Sequence, residues 1–515
     1  MTDATRDYLV LGAGPAGLQL AALMEAGGDD YLVLERAAAP GAFFARYPRH
    51  RTLISINKPR TGSEDPELNL RLDWNSLLSA DPALRFTRYS DRYFPDADDL
   101  LRYLADFAEP LKDKIRYNAD VVRVERADHG FTLTDGSGRE YRGRRLIVAT
   151  GVSKPYTAPI PGIELAENYA DISTDPKDYW DQRVLIIGKG NSAFETADAL
   201  METTALIHVA GPSPVRFAWR THYVGHLRAV NNNFLDTYQL KSANAVLDGT
   251  VRGIERDGDG FRVAFAFSRV NEVVKELRYD RVIACTGFAF DAGIFAGAAR
   301  PELTIRDRFP RQTPAFESAT VPGLYVAGTL SQERDFKRST NGFIHGFRYA
   351  VRALHKILRQ RYADEPWPAT PVEKDAITDA IIARVNRSSG LWQQFGVLAD
   401  VVTVDGEQAG YHEEVPVAYH LEGGLGAHRD AFVVTLEYGP DHDAVDPFDI
   451  EVSRISQDTP GQAHDAAYLH PVVRHYRDGA LTGTHHLAEN LENRWDRPDV
   501  HREPLRAFIA AMVAP

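Results

Sequence analysis

DYLVLGAGPAGLQLAALMEAGGDDYLVLE, residues 7–35, is the stretch whose reading decides the fold. A short apolar run, residues 8–11, predicts a strand, and residues 15–25 carry the apolar spacing of a helix. A second apolar run, residues 31–34, ends on Glu35. Between the first strand and the helix stand Gly12, Gly14 and Gly17, at GxGxxG spacing. Strand, glycine turn, helix, strand and terminal acid together form the dinucleotide-binding pattern of a Rossmann-like unit. Gly12 permits the tight turn, Gly14 lets a pyrophosphate approach the backbone, and Gly17 lets helix and strand pack closely. The turn and helix start, with Ala13, Pro15 and Ala16 between the glycines, aim N–H groups and a positive dipole end at that phosphate. Glu35 is expected to accept a ribose hydroxyl, with Arg36 beside it.

The pattern recurs at residues 183–199, RVLIIGKGNSAFETADA. A strand feeds Gly188, Lys189, Gly190, Asn191 and Ser192, then a helix, with Ala193 in place of the third glycine. The next strand, residues 205–209, has no acid at its tip, and Arg216 and Arg220 lie just beyond. An acid there would repel a 2′-phosphate and an arginine would bind one. The second turn is therefore expected to take NADPH, and the first FAD. Two further apolar strands end in small turns suited to close backbone approach. One runs RLIVATG, residues 145–151, and carries Ala149, Thr150 and Gly151; the other runs into CTGFAFD, residues 285–291, and carries Thr286 and Gly287. Residues 324–329 repeat the theme and end near Gly328. Beyond Gly342 the apolar spacing is helical, and Ser339, Thr340 and Asn341 are candidate caps. A helix starting there would aim its positive end at the middle of the cofactor. Val122, on a predicted strand of a small meander, completes the expected cofactor contacts.

Residues 42–62, AFFARYPRHRTLISINKPRTG, set Arg46, Arg49, His50, Arg51, Lys58 and Arg60 among aromatics, with a predicted strand at 52–56. Such dense charge suits a groove for an anionic cofactor, with Arg46 a candidate contact. Residues 212–245, rich in aromatic and polar side chains, read as an insertion that covers a site. Past residue 368 the composition shifts, with a helix expected at 372–386, strands at 397–404 and 432–438, and a closing helix at 505–511. The histidines of this part show no repeated ligand spacing, so no metal site is expected.

The expected fold class is α/β, with two Rossmann-like dinucleotide-binding domains, the second inserted in the first, and an α+β C-terminal extension. The first domain would occupy residues 1–165 and 286–362, the second 166–285, and the extension 363–515. The chain has 515 residues, too many for one core, and a formal net charge of −13. That charge argues against nucleic acid or an anionic membrane as partner. No apolar run approaches the roughly 20 residues that span a bilayer. The opening MTDATRD has no basic and apolar leader, so a cytoplasmic location is expected. The single cysteine, Cys285, rules out a CxxC redox pair within the chain. Electrons passing from nicotinamide to flavin then need another acceptor, and molecular oxygen is the obvious one.

The paired glycine turns, LIVATG and VIACTGFAFD resemble, in their order, the class B flavin-containing monooxygenases. RYPRHRTLISINK, IIGKGNSAFETA, THYVGHLRA, NGFIHGFRYAVRA and SSGLWQQFGVLADV are similar to the FAD-dependent oxidoreductase domain-containing group. The resemblance runs over almost the whole chain. It implies a C4a-hydroperoxyflavin that oxygenates a nitrogen or sulfur nucleophile of a small molecule, such as N-hydroxylation of an amine or amino acid. It also implies that Asn57 steadies that adduct by donating from its amide, with Lys58 or His50 assisting by charge. The monooxygenase signature has a histidine where this chain has Tyr169-Ala170, which bears on whether oxygen reaches a substrate or leaves as peroxide. Two other outcomes stay open: an NADPH oxidase or reductase serving a quinone or protein, and a flavin-stabilised interaction protein; under any of the three readings a homo-oligomer is open.

Overall fold

Strand Arg6–Leu11 lies inside a seven-stranded sheet, parallel to Tyr31–Leu34 on one side and to Glu140–Val148 on the other. The computed structural model describes residues 4–223, 225–239, 244–268, 273–406, 408–426, 428–446, 448–454 and 456–514. Of the 212–245 insertion, residues 224 and 240–243 therefore fall outside the described residues. Strand Leu324–Val326 returns to this first sheet beside Glu140–Val148, after the second sheet has formed. Val121–Ala127 and Gly130–Asp135 extend it as an antiparallel meander. Helices Pro15–Gly27 and Ile344–Tyr362 pack on it with their apolar faces inward.

The second sheet centres on Arg183–Ile187, parallel to Leu206–Gly211 and to Arg281–Ala284. Helix Asn191–Leu200 follows the second glycine turn. Strand Ala245–Asp257 pairs in parallel with Leu206–Gly211, then leads antiparallel into Gly260–Phe267 and Val274–Tyr279. The two parallel cores are the Rossmann-like units that the glycine turns predict.

The third sheet is antiparallel and six-stranded, in the order Thr370–Glu373, Gln408–Pro416, Leu398–Asp405, Asp430–Glu437, His470–Arg477, Ala480–His486. Its helices are Ile377–Arg387, Ser389–Gln393 and Glu503–Met512. The helix expected at 372–386 starts later, because Pro371 and Val372 pair as an edge strand with Gly410 and Ala409. The strand expected at 52–56 does not form. Those residues run in irregular chain, anchored by Leu53 N–H on Pro95 O at 2.8 Å and Asn57 N–H on Tyr93 O at 2.8 Å. The helix after Asn341 begins at Ile344, with Phe343 at its N-cap and no side-chain cap, so Ser339, Thr340 and Asn341 do not cap it.

The third sheet is no loose appendage. Leu398, Ala399, Val401 and Val415 share one apolar core with Tyr349, Val351 and Leu354 of the long helix. Polar contacts complete the joint. Arg71 donates to Val385 O at 3.0 Å and Ser388 O at 3.2 Å, and its guanidinium lies over the Trp392 ring. Arg384 pairs with Asp400 at 3.0 Å and with Glu67 at 3.0 Å. Arg348, fully buried, donates to Leu70, Asp73 and Ser76 carbonyls. Arg352 and Glu414 form a bidentate pair, with the Glu414 side chain 2% exposed. Glu414→Ala should strand the Arg352 charge and cost about 2 kcal/mol or more, at the low end for a buried pair because Arg352 stays 33% exposed. Thermal or denaturant unfolding reads this; a transition unchanged from wild type would show that the pair does not hold the joint.

Candidate functional site

The two glycine turns are built alike. At the first, Gly12 has φ +108°, and a Cβ there would meet the Ala149 carbonyl at 2.9 Å; a Cβ on Gly17 would meet the Gly12 carbonyl at 1.9 Å. At the second, Gly188 has φ +131°, and a Cβ would meet the Cys285 carbonyl at 2.2 Å. Ala149-Thr150-Gly151 and Cys285-Thr286-Gly287 are therefore counterparts, each strand end pressed on its glycine. Gly14 and Gly190 differ from these: a Cβ on either would meet nothing within 4 Å. Each leaves a space at the start of a helix whose first N–H groups have no helical partner, which is the cradle a pyrophosphate needs.

Between the turns lies an apolar cavity of about 330 Å³. From the first domain Gly14, Pro15, Ala16, Ala149, Thr150 and Gly151 line it, and from the second Asn191, Ser192, Glu195 and Tyr169. Gly328, Thr329 and Gly342 to Ile344 close another side, so the start of helix Ile344–Tyr362 does face the cavity. Phe43, Phe44, Tyr47 and Phe288 supply aromatic wall; Tyr47 stacks on Tyr169 with centroids 5.7 Å apart. Cys285 is buried and has no second thiol.

Other expected contacts sit as follows. Glu35 is 7% exposed and its carboxylate accepts the Ala13 N–H at 2.7 Å and the Ala37 N–H at 2.9 Å, which holds the acid at the strand tip beside the turn. Arg36 is exposed next to it, and Val122 points outward from its strand at 51% exposure. Thr286 Oγ bonds the Tyr156 carbonyl and Gly287 O accepts the Tyr156 N–H, which locks the linker onto this turn. Asn191 is engaged by the insertion: its Nδ2 donates to His226 O at 2.9 Å and its Oδ1 accepts from Arg228 N at 2.9 Å. Asn341 is buried behind Gly342, where Gln394 Nε2 donates to its Oδ1 at 2.6 Å. Arg216 is exposed just past the second turn's sheet.

Several readings need correction. The basic stretch 46–60 is not a groove for an anion. Arg46 pairs with Asp171 and donates to Ala170 O at 3.0 Å, and Arg49 donates to Ile172 O at 2.6 Å. Arg51 bonds Phe44 O at 2.7 Å and pairs with Asp98. Arg46 and Arg49 clamp the domains together, because the chain around Tyr169 folds against them, while Arg51 is held inside the first domain. Lys58 is exposed and outside the cavity lining. Burial, with Arg49 nearby, pushes the His50 imidazole down to about 4, so it carries no charge at neutral pH. Asn57 is fully buried but does not line the cavity; its Nδ2 donates to Ser90 O at 2.6 Å and Arg92 O at 3.2 Å. The amides that do line it are Asn75 and Asn191. Lys189 does not point free at a phosphate, for its ammonium bonds Asp248 and Ser213 O. Asp248 comes from the neighbouring strand, in register with Gly211, so the strand tip has an acid after all, and Lys189 neutralises it.

Sequence reasoning did not find Glu195, Trp74 or His345. Glu195 lies one turn into the second helix, 7% exposed, hydrogen-bonded by the Tyr169 hydroxyl, which in turn accepts the Arg49 N–H at 3.0 Å. Burial raises its carboxyl from near 4.5 to about 7. Its only sequence signal was an acid inside an otherwise small and apolar helix start. His345 is fully buried, stacks on Trp74 at 4.0 Å, and neither ring nitrogen has a partner among the described residues; Arg228 lies over Trp74 at 4.9 Å. Among the described residues, no group of three or more His, Cys, Asp or Glu is placed to hold a metal ion, and no helix is long and apolar enough to cross a membrane.

Residues 9–328 match the pyridine nucleotide-disulphide oxidoreductase family. The mouse FAD-dependent oxidoreductase domain-containing protein 2 is 41% identical over 98% of this chain and 83% of its own length. An Arabidopsis thaliana flavin-containing monooxygenase, FMO GS-OX-like 6, is 28% identical over 64% of this chain and 69% of its own. The solved flavin-containing monooxygenase from Stenotrophomonas maltophilia superposes with a TM-score of 0.54 at 20% identity, covering 71% of this chain and 99% of that one, which is a likeness of fold.

Glu195 makes stability depend on pH. At low pH both folded and unfolded chains hold its proton. As pH rises past the usual glutamate range the unfolded chain ionises first, so stability falls until the folded carboxyl also ionises near 7. Glu195→Gln removes this loss, so the variant should gain about 3 kcal/mol relative to wild type between pH 4 and pH 8. Denaturant unfolding across that range measures it; a difference that stays flat with pH would show the carboxyl is not desolvated.

Proposed function

Because the chain belongs to the pyridine nucleotide-disulphide oxidoreductase family and is an FAD-dependent oxidoreductase, we propose that it is an NADPH-dependent monooxygenase acting on a nitrogen or sulfur atom of a small molecule. The observation that carries this reading is the apolar cavity lined by both glycine turns, in a chain whose one cysteine is buried without a thiol partner. Disulfide reduction needs two thiols in reach of the flavin. An apolar chamber that joins two nucleotide turns and excludes water instead suits transfer of oxygen.

The residues present fit both cofactors. FAD would be held by Gly12, Gly14 and Gly17, with Glu35 at the ribose, the Ala149 to Gly151 turn, Gly328, and the N-terminal end of helix Ile344–Tyr362. NADPH would be held by Gly188, Gly190, Ser192 and the Thr286-Gly287 turn, with Arg216 on the 2′-phosphate, since Lys189 already cancels Asp248. When bound, the pair supplies hydride transfer and two-electron activation of molecular oxygen. The protein's part is positional and electrostatic. Phe43, Phe44, Tyr47 and Phe288 keep water from the cavity. The helix start at Ile344 favours negative charge on whatever lies against it. Glu195, near half-protonated at neutral pH, can hold or release a proton through the Tyr169 hydroxyl at the cavity wall. Asn75 lines the cavity with a neutral amide, held in place by Nδ2 bonds to Ser55 O at 3.4 Å and Ile56 O at 3.3 Å, and would orient a bound flavin or substrate without adding an acid. N-hydroxylation of an amine or amino acid is the form of the reaction we favour, in line with the similarity to flavin-containing monooxygenases.

Purified FAD-loaded protein, NADPH and oxygen-18 gas, supplied with a panel of amines, amino acids and sulfides, test the proposal. Product carrying one labelled oxygen supports it. Hydrogen peroxide matching all NADPH consumed, for every compound in the panel, rejects it in favour of an oxidase. For the second turn, Arg216→Ala should raise KM for NADPH about tenfold while leaving that for NADH within about twofold. Equal effects on both would remove Arg216 from phosphate recognition.

A further inference from the structure

A second cavity, of about 700 Å³, opens where the C-terminal sheet meets the two nucleotide units, and the oxygenation reading makes no use of it. Its lining comes from three parts of the chain: His222 of the insertion, the segment from Arg334 to Arg338, and the sheet side around Val433, Thr435 and Tyr438. Two properties distinguish it.

One is a compact cluster of aromatic rings on its wall. The His222 ring stacks on Tyr438 at 4.1 Å and 18°, and His442 lies 4.4 Å from His222 and 4.3 Å from Tyr438. Burial pushes His222 down to about 3 and also lowers His442, so both present neutral rings. The buried Nε2 of His442 has no hydrogen-bond partner among the described residues.

The other is charge. Arg334, Lys337, Arg338 and Arg474 line the cavity, as do Asp335, Glu437 and Asp443. Arg474 and Glu437 cancel in a bidentate pair, Nη2 to Oε2 at 2.9 Å. Asp335 is 1% exposed, accepts the Asn341 N–H at 3.0 Å, and burial raises it to about 7. Asp443 is exposed. Arg334, Lys337 and Arg338 have no ion pair among the described residues; Arg334 donates only to Gln312 O at 3.3 Å. Lys337 is also held at φ +63°, a left-handed conformation that costs about 1 kcal/mol and persists only where surroundings impose it, often at ligand sites. Lys337 and Arg338 are exposed, Arg338 has Asp335 in its field and Arg334 has Glu333, so the cavity keeps an excess of positive over negative lining groups in a chain of net charge −13.

We propose that this cavity binds an organic anion carrying a planar ring, of the aryl carboxylate or sulfonate class, with its ring on the His222–Tyr438–His442 wall and its anionic group on Arg334, Lys337 and Arg338. A charge-assisted contact to more than one cation fixes the anionic end, and stacking on neutral rings accepts the planar end. The segment that supplies the cations also joins the two cavities: Gly328, Thr329 and Gly342, on either side of it in sequence, line the first. The site stands whether or not the oxygenation proposal does, because its test reads binding and not turnover.

The probe is 2-naphthoate, with neutral 2-naphthamide as the matched control, titrated calorimetrically into FAD-loaded full-length protein. Naphthoate is expected to bind at least about tenfold more tightly than the amide, and more weakly as salt rises. The double variant Lys337→Glu, Arg338→Glu should weaken naphthoate at least about tenfold and leave the amide unchanged. Retained flavin absorbance reports that the variant is folded; should flavin be lost, the milder Lys337→Ala, Arg338→Ala pair gives the same reading. Acid and amide binding alike, naphthoate binding undiminished in the folded variant, or no naphthoate binding at millimolar concentration would each overturn the proposal.

Discussion

Backbone pressed on backbone is the constraint from which the rest of this structure follows. At Gly12 and Gly17, and again at Gly188, there is no room for a Cβ, because a carbonyl from the next strand end or the preceding turn occupies that space. Each contact forces the strand, turn and helix of one nucleotide unit into a single packing arrangement. Each also places an ATG or CTG strand end beside the turn. With two such units facing one another, the space between them is bounded by glycines of the first unit and by Asn191 and Ser192 of the second, and Gly14 and Gly190 remain open for phosphate.

Arginines then decide how the units sit. Arg46 and Arg49 hold the first domain to the loop after Tyr169, Arg71, Arg352 and Arg384 hold the C-terminal part to the first domain, and Arg348 ties the two halves of the first domain together. Most of these charges meet backbone carbonyls or buried carboxylates. A partner lost from such a buried joint leaves an uncompensated charge or carbonyl.

The two cavities are thereby given different characters. The first is enclosed by aromatic and small residues, and its one ionisable lining carboxyl, Glu195, is desolvated enough to share its proton with the neutral form near pH 7. The second is walled by neutral rings and unpaired cations. A segment of the chain between Gly328 and Gly342 borders both, and the C-terminal sheet supplies much of the second cavity's lining.

The sequence alone settled the parts that rest on local rules. Glycine spacing, apolar strands and a terminal acid are read within a few tens of residues, so both nucleotide units and the α/β class were legible. The lone cysteine likewise removed a CxxC redox pair within the chain without reference to any contact. The tertiary structure decided whatever depends on who meets whom. The arginines of residues 46–60 became clamps, Asn341 a buried brace and Lys189 a partner of Asp248, because long side chains go to the charge or carbonyl that folding brings near. Asn75 stands at the cavity wall where Asn57 was expected, the Tyr169–Glu195 pair assembled from different elements, and the second cavity arose between segments that run from His222 to Tyr476. No periodicity encodes such meetings; only packing in three dimensions produces them.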